Sequence, residues 1–473
     1  MKKYIFSPKR KLPIIATLFI LSGLLVGFTY EPNTNPDPKK DKVLVGVIRY
    51  ILKNGHYAPK EINDEFSKAV YTKFINEIDP VKRYFTKSDI EDFSQFKYKI
   101  DDQLKREDLS FYTYVMDRFQ VRLNDTKSYY KEILESPFDF DKKEDIKINY
   151  DEIDFSKSQN ELIDSWRKQM KFNALSRLQL SLETEEDKAK EDKTYVKKDF
   201  KALEIQAREK TLKNIDDFYE RISKLNHTDW FSTFVNCIVE EFDPHTTYFA
   251  PKIKEQFDIN ISGKIEGIGA RLQEKSDYTK IVELISGGPA WKQGDLEVGD
   301  IIIKVAQKGE ESVDIVGMRL DDAIKLIKGK KGTEVILTVK KVDNSIQQIT
   351  IIRDVVELEE TFAKSSVAFK DGKKYGIINL PKFYIDFEDP NGRNSGSDME
   401  KEIEALKKEN IDGLLIDLRN NGGGSLKTAI EIGGLFIKKG PIVQVKYRDN
   451  EPSVKKDTDS KIQWDGALVI LVN

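Results

Sequence analysis

The chain of 473 residues contains one cysteine, Cys237, and three histidines, His56, His227 and His245. A disulfide framework is excluded, and so is a zinc site built on several thiolates. The histidines stand far apart in sequence and form no metal motif, so no metal or cofactor is expected. An excess of one charge is also missing: 78 Lys and Arg face 81 Asp and Glu, a net charge of −3. Nucleic-acid binders carry a basic excess, so that class is set aside. The most uneven scarcity is glycine. Of 27, four come before residue 251 (Gly23, Gly27, Gly46 and Gly55), which leaves 27 − 4 = 23 beyond it, and none lies between Gly55 and Gly263. Two architectures are therefore joined near residue 250. At about 150 residues per domain the length suggests two to four domains, and 39% hydrophobic residues are enough to build real cores.

Lys2, Lys3, Lys9, Arg10 and Lys11 precede the apolar run Leu12–Phe28. Charge followed by an apolar stretch is the order of an export signal, and the 17 residues are the short end of a membrane span. Residues 1–30 read as a signal peptide or membrane anchor, with membrane contact only through residues 12–28. Glu31–Lys42 reads as a linker. The rest of the chain is expected outside the cytoplasm.

Residues 31–250 read as a mostly α N-terminal domain. Phe111, Tyr112, Val115, Met116, Phe119 and Leu123 recur at three and four, and Trp230, Phe231, Phe234, Val235 and Ile238 repeat the pattern. Glu183–Lys210 is mostly charge, with Phe200, Leu203 and Ala207 on one face, and reads as a solvated helix. Asp243-Pro244-His245-Thr246-Thr247-Tyr248-Phe249 has two readings. One makes His245 a base beside Asp243. The other, which is favoured, is a turn that ends a helix, with Tyr248 and Phe249 packed in the core.

From about residue 255 the period changes to two. Thr279–Ile285, Asp300–Val305 and Glu334–Lys340 read as strands and Leu320–Ile327 as a short helix. Gly267-Ile268-Gly269-Ala270 opens a strand with glycines that let backbone amides face an anion. Gly287-Gly288-Pro289-Ala290-Trp291 through Gly299-Asp300-Ile301-Ile302 follows in register. Together these resemble a PDZ domain over residues 251–353. The resemblance implies that a peptide adds as a strand beside Ala270–Leu272, with its terminal carboxylate on the Gly267–Ala270 amides. Leu320 and Ile324 would then line the side-chain pocket, with Ile268 and Leu272 among the peptide-binding residues of the loop and strand.

Residues 354–473 read as an α/β core: a strand at Tyr375–Leu380, a helix at Asp398–Lys408, a buried strand at Gly413–Leu418, then Arg419-Asn420-Asn421-Gly422-Gly423-Gly424 and a helix from Ser425 through Ile437. A glycine turn at a helix start exposes amides backed by the helix dipole. No Gly-Lys-Ser/Thr follows, so the phosphate-loop reading fails. An oxyanion hole and a tight packing turn both remain open from this motif.

The order of these parts resembles the carboxy-terminal processing, or tail-specific, serine peptidases of bacteria, specifically from about residue 229 onward. The fold class implied is multidomain: a mostly α N-terminal domain, a β-rich PDZ domain with α helices, and an α/β protease core that is incomplete. The resemblance implies an exported endopeptidase that selects apolar, unstructured C-terminal tails. Gly423 and Gly424 match the family's oxyanion glycines. The implied chemistry is a serine activated by a lysine, whose pKa must be lowered for it to act as base. The resemblance places both residues beyond Asn473, so the chain is expected to be a fragment with no catalytic residue of its own. Ser425, Ser453 and Ser460 are not at the nucleophile's position. The implied partners are protein or peptide substrates and an adaptor protein. The rival reading is a non-catalytic PDZ-type peptide-binding protein, and the coding frame beyond Asn473 separates the two.

Overall fold

The computed structural model describes residues 37–473 apart from 276, 449 and 450; the export segment expected at residues 1–30 lies outside them. Two compact units result: residues 61–243 with the chain before residue 51, and residues 51–60 with 244–473. Among the described residues no helix is long and apolar enough to cross a membrane.

The glycine-poor part of the chain is helical: α1 (Pro38–Gly55, which runs across the 50/51 boundary), α2 (Asp64–Ile78), α3 (Lys87–Phe93), α4 (Ile100–Lys105), α5 (Ser110–Glu135), α6 (Gln159–Glu191), α7 (Phe200–Ser223) and α8 (His227–Val239). Side-chain caps start several of them. Asn63, Asp199 and Asn226 accept the Phe66, Ala202 and Asp229 amides, each cap contributing about 1 kcal/mol. Without glycine, the left-handed positions fall on Lys82 and Glu107, at φ 52° and 55°. Each such residue gives up roughly 1–2 kcal/mol to backbone sterics. The core is aromatic: Phe74 stands 5.7 Å from Phe111 and 5.1 Å from Phe234, ring centre to ring centre.

Two expectations fail in and beside this unit. Glu183–Lys210 is no single solvated helix: α6 stops at Glu191 and α7 restarts at the Asp199 cap. Glu185 is buried at the corner, accepting from the Tyr195 hydroxyl and the Lys198 amide. Leu203 and Ala207 turn inward onto Leu178 while Phe200 stays exposed. Phe249 is likewise exposed, its ring tilted against Phe257 at 5.2 Å centre to centre, and Tyr248 is half-buried. The residues that bury on either side of that segment are Phe242 and Ala250.

The second unit opens with α9 (Pro251–Ser262), closed by Gly263 at φ +68°, where a Cβ would stand 2.6 Å from Thr361 Cγ2. Next come β1 (Lys264–Gly267), β2 (Ala270–Lys275), β3 (Tyr278–Leu284), α10 (Pro289–Gln293), β4 (Ile301–Gln307), β5 (Val313–Asp314), α11 (Leu320–Ile327), β6 (Glu334–Lys340), β7 (Ile346–Ile352) and β8 (Asp354–Glu357). The sheet runs β2-β3-β4-β6-β7 with β5 beside β4, over a core that includes Ile281, Ile302, Ala323 and Leu337. The incoming and outgoing strands β1 and β8 pair with each other, from Lys264 opposite Glu357 to Gly267 opposite Asp354. Just before β8, Arg353 is buried (2% exposed) and donates to the Ile327 and Leu326 carbonyls at 2.8 and 3.0 Å. It therefore caps the carbonyl end of α11, where the helix dipole favours a cation.

The core domain contains β9 (Lys364–Lys370), β10 (Lys373–Asn379), α12 (Ser395–Lys408), β11 (Gly413–Asp417), α13 (Leu426–Gly434), β12 (Gly440–Val445), β13 (Ser453–Asp457) and β14 (Ala467–Leu471). Its main sheet is ordered β14-β11-β10-β9, parallel except for β9. α13 ends at Gly434, short of the expected Ile437. Gly433 and Gly434 there admit Ile442 and Asp457 of the β12–β13 hairpin, at 3.3 and 3.1 Å from where a Cβ would be.

One buried carboxylate ties two helices of the first unit. Asp89, fully buried, accepts the Thr86 amide and hydroxyl, both at 2.9 Å, so it completes the cap of its own helix. Across to α5 it takes Arg122 in two-pronged fashion at 2.9 Å and Arg118 at 2.5 Å. Burial alone would raise this carboxyl, but the Arg122 guanidinium and the Thr86 donors outweigh it and hold the group below its ordinary value. Stability from this group is thus present above the unfolded value near 4 and lost as pH falls through the lower folded value. Asp89→Asn is expected to destabilise the unit by about 3 kcal/mol at pH 7, with Arg118 and Arg122 left only their longer contacts to Asp92 and Asp125. Urea unfolding checks this, and the gap between variant and wild type should narrow as pH drops below about 4.

Candidate functional site

Two clusters within the second unit place the expected site residues. In the first, Gly267 ends β1 and Gly269 turns the chain at φ +73°. A Cβ on Gly269 would stand 3.1 Å from Gly288 Cα and 3.3 Å from Pro289 Cδ, so the two glycine motifs touch and require each other. The Ile268 carbonyl accepts the Ala290 amide at 2.8 Å and the Gly269 carbonyl accepts the Ile285 amide at 2.9 Å. With both carbonyls committed, the loop's opposite polarity is what remains. Among the described residues the Ile268 and Gly269 amides donate to no acceptor. Consecutive unsatisfied amides form an anion concavity.

The remaining residues of this cluster divide by role. Ala270 and Leu272 lie on β2, half-buried against the core. Leu320 and Ile324 are half-buried on α11, one turn apart, while Ala323 and Ile327 of the same helix are in the core. Ile268 places its side chain in the core, so its part in the loop is that of its backbone. Lys328, which sequence reasoning passed over, packs against the loop. Its Cγ and Cα lie 3.7 and 3.8 Å from the position of a Gly267 Cβ. The available signal was the basic run Lys325 to Lys331 that follows the helix.

The second cluster is the turn from β11 to α13. Gly423 and Gly424 take φ +100° and +143°. Phe383 threads alongside: its amide donates to the Gly423 carbonyl at 3.0 Å, and its carbonyl accepts the Ser425 amide at 2.8 Å. A Cβ on Gly424 would sit 2.3 Å from the Phe383 oxygen, so no side chain fits there. The two glycines are not equivalent as donors. The Gly423 amide is taken by Asn421 Oδ1 at 2.8 Å; the Gly424 amide has no partner among the described residues. Asn421 also donates through Nδ2 to the Leu380 carbonyl at 2.9 Å, which braces the turn against the end of β10.

The neighbours of this turn are equally fixed. Ser425 is 6% exposed and caps α13 by accepting the Thr428 amide. Arg419 grips Asp417 at 2.9 and 2.6 Å and holds that carboxyl down at about 2. Tyr384, next to Phe383, is buried with its hydroxyl donating to Asp398 at 2.8 Å and accepting the Ala363 amide at 3.2 Å. Asn473, two residues past β14, exchanges hydrogen bonds with Asn420 at 2.8 and 3.0 Å, and so lies against the start of the glycine turn. His245 is exposed. Among the described residues no group of His, Cys, Asp or Glu could hold a metal ion.

Comparison with known proteins gives these clusters a context. Residues 47–252 match the family model described as "Tail specific protease N-terminal domain", residues 257–340 match "PDZ domain", and residues 374–473 match "Peptidase family S41". A "Tail-specific protease" of Haemophilus influenzae is 31% identical over 96% of this chain and 62% of its own length. The "Carboxy-terminal processing protease CtpA" of Bacillus subtilis is 33% identical over 49% of this chain and 46% of its own. The chain thus spans about half to three-fifths of the length of these relatives. Among solved structures, the PDZ domain of a carboxy-terminal protease from Vibrio cholerae, in complex with peptide, is 49% identical. That match covers 20% of this chain and 99% of the other, with a TM-score of 0.20. With matches to a tail-specific protease N-terminal domain, a PDZ domain and a family S41 segment in that order, the chain is similar in its arrangement to the PDZ-containing carboxy-terminal processing peptidases of family S41.

Proposed function

We propose that the whole protein is a serine endopeptidase of the cell envelope that captures apolar C-terminal tails and cleaves the proteins that carry them. The observation that carries this reading is one compact unit holding both an anion cradle beside an apolar groove and a glycine turn with an open amide at a helix start. The groove between β2 and α11 offers Leu272, Leu320 and Ile324 to an apolar terminal side chain, and the Ile268 and Gly269 amides to its carboxylate. The Gly424 amide, backed by α13, is suited to the charge that develops on a scissile carbonyl oxygen. Ser425 is a cap and not the nucleophile, and the resemblance puts the serine and its lysine after β14. The position of Asn473 beside Asn420 is consistent with a serine delivered to the glycine turn from that side. Export to the periplasm, or to the periplasmic face of the inner membrane, is supported by the charged-then-apolar order of residues 1–28. An adaptor protein is part of the same proposal.

Peptides with an apolar C-terminal residue should bind the chain, and amidating the terminal carboxylate should weaken binding by about tenfold, the worth of one charge-assisted hydrogen bond. Equal affinities in fluorescence anisotropy would sink the cradle. In the whole protein, Gly424→Ala should lower turnover by roughly 10²-fold or more, as loss of an oxyanion donor does. Ser425→Ala should lose only a cap, about 1 kcal/mol of stability, with turnover retained. Peptide-cleavage kinetics of the two variants, with circular dichroism to check folding, decide this; the opposite ranking would overturn the assignment.

A further inference from the structure

The carboxylate cradle has a charged neighbour that is already engaged. Lys328 follows α11 directly, and its aliphatic stem packs on Gly267. Its ammonium lies three bonds beyond the Cγ that touches the loop, within reach of an anion seated on the Ile268 and Gly269 amides. In the structure that ammonium is paired instead with Glu255 Oε1 of α9, at 3.0 Å. Both partners reach solvent, Lys328 by 25% of its side chain and Glu255 by 53%. A second pair joins the same two helices at the other end of α11, where Lys252 of α9 bonds Asp321. α9 is therefore clipped along α11, the helix that presents Leu320 and Ile324 to the groove.

Building on the peptide-tail reading above, we propose that Lys328 is a specificity residue for the terminal carboxylate and that Glu255 is its built-in competitor. The Glu255 carboxylate occupies the ammonium while the cradle is empty. An arriving tail brings a carboxylate of the same charge to the same cation, and the amides of the loop add to its side of the exchange. No bond is made or broken; one carboxylate replaces another on the lysine. Arg353 cannot play this part, because its guanidinium is buried and committed to the Leu326 and Ile327 carbonyls. Lys331 is paired with Asp354 at 2.8 Å on β8. The arrangement selects free C-termini over internal apolar segments, and Glu255 sets the affinity below what the cradle and an unpaired Lys328 would give together. A tail-reading module that must release its ligand is served by that.

The test uses the purified chain and two fluorescein-labelled peptides that end in Ala-Val, one with a free carboxylate and one amidated. Lys328→Met keeps the stem and removes the charge. It should weaken the free-acid peptide by about threefold, leave the amidated peptide unchanged, and so keep the part of the discrimination that the loop amides supply. Glu255→Gln should tighten the free-acid peptide by about threefold, the scale of one exposed ion pair, again with no effect on the amide. The double variant should behave as Lys328→Met, because Glu255 acts only through the lysine; a purely structural role for the clip would instead add the two effects. If Lys328→Met discriminates acid from amide as well as wild type does, this inference is overturned while the cradle stands. If wild type itself does not discriminate, the peptide-tail reading falls, and the lysine's role with it. Thermal melts of each variant establish that it is folded, and loss of both peptides' binding in a folded Lys328→Met chain would also overturn the charge-specific role.

Discussion

The pairing of β1 with β8 is the constraint on which the second unit hangs. The chain enters and leaves the PDZ module through strands bonded to each other, so the module is held by a two-stranded stem rather than by loose linkers. The Gly267–Ala270 loop begins at the last residue of that stem, Gly267, and Arg353, which caps α11, immediately precedes the other strand. Loop and helix, the two walls of the groove, are thus referenced to the same short ladder. At its far end the stem meets the core domain: Glu357 bonds Arg393 at 2.9 Å, Arg393 also holds Asp398, and Asp398 takes the Tyr384 hydroxyl. Phe383, the next residue back, shapes the glycine turn. This is an unbroken mechanical path from one cluster to the other. Contiguity is not itself energetic coupling, which requires an element with two arrangements biased from both ends.

Glycine carried most of what was legible from the sequence. Its absence from 56–262 marked the helical region, and its return marked both turns, because only glycine takes φ of +73° beside Gly288 or admits the Phe383 oxygen at Gly424. Periodicity placed the strands and α11 for the ordinary reason that one face buries. Less legible were partners chosen by tertiary approach. Nothing local announces that Asn421 would spend its side-chain oxygen on Gly423, that Lys328 would lie on Gly267, or that Glu185 would bury at a corner. The charge of Glu183–Lys210 suggested a solvated helix. What broke it was the Asp199 cap, which offers the backbone a better start eight residues after α6 stops.

Asn421 also sharpens how the glycine turn should be viewed. A run of three glycines is conformationally free, and Gly423 and Gly424 would lose more entropy on ordering than any other residues. The turn is nonetheless held at several points: Asn421 to Leu380, Asn421 to Gly423, and Phe383 to Gly423 and Ser425. Its donors are therefore not interchangeable. The Gly423 amide on Asn421 fixes the peptide plane between Gly422 and Gly423, the Phe383 amide on the Gly423 carbonyl fixes the next plane, and the Gly424 amide in that second plane is left open. An oxyanion donor is effective when its dipole is already aimed and needs no reorganisation as charge develops. On the oxyanion role proposed above, one fixed amide is worth more than two loose ones, and Asn421 and Phe383 together do the fixing.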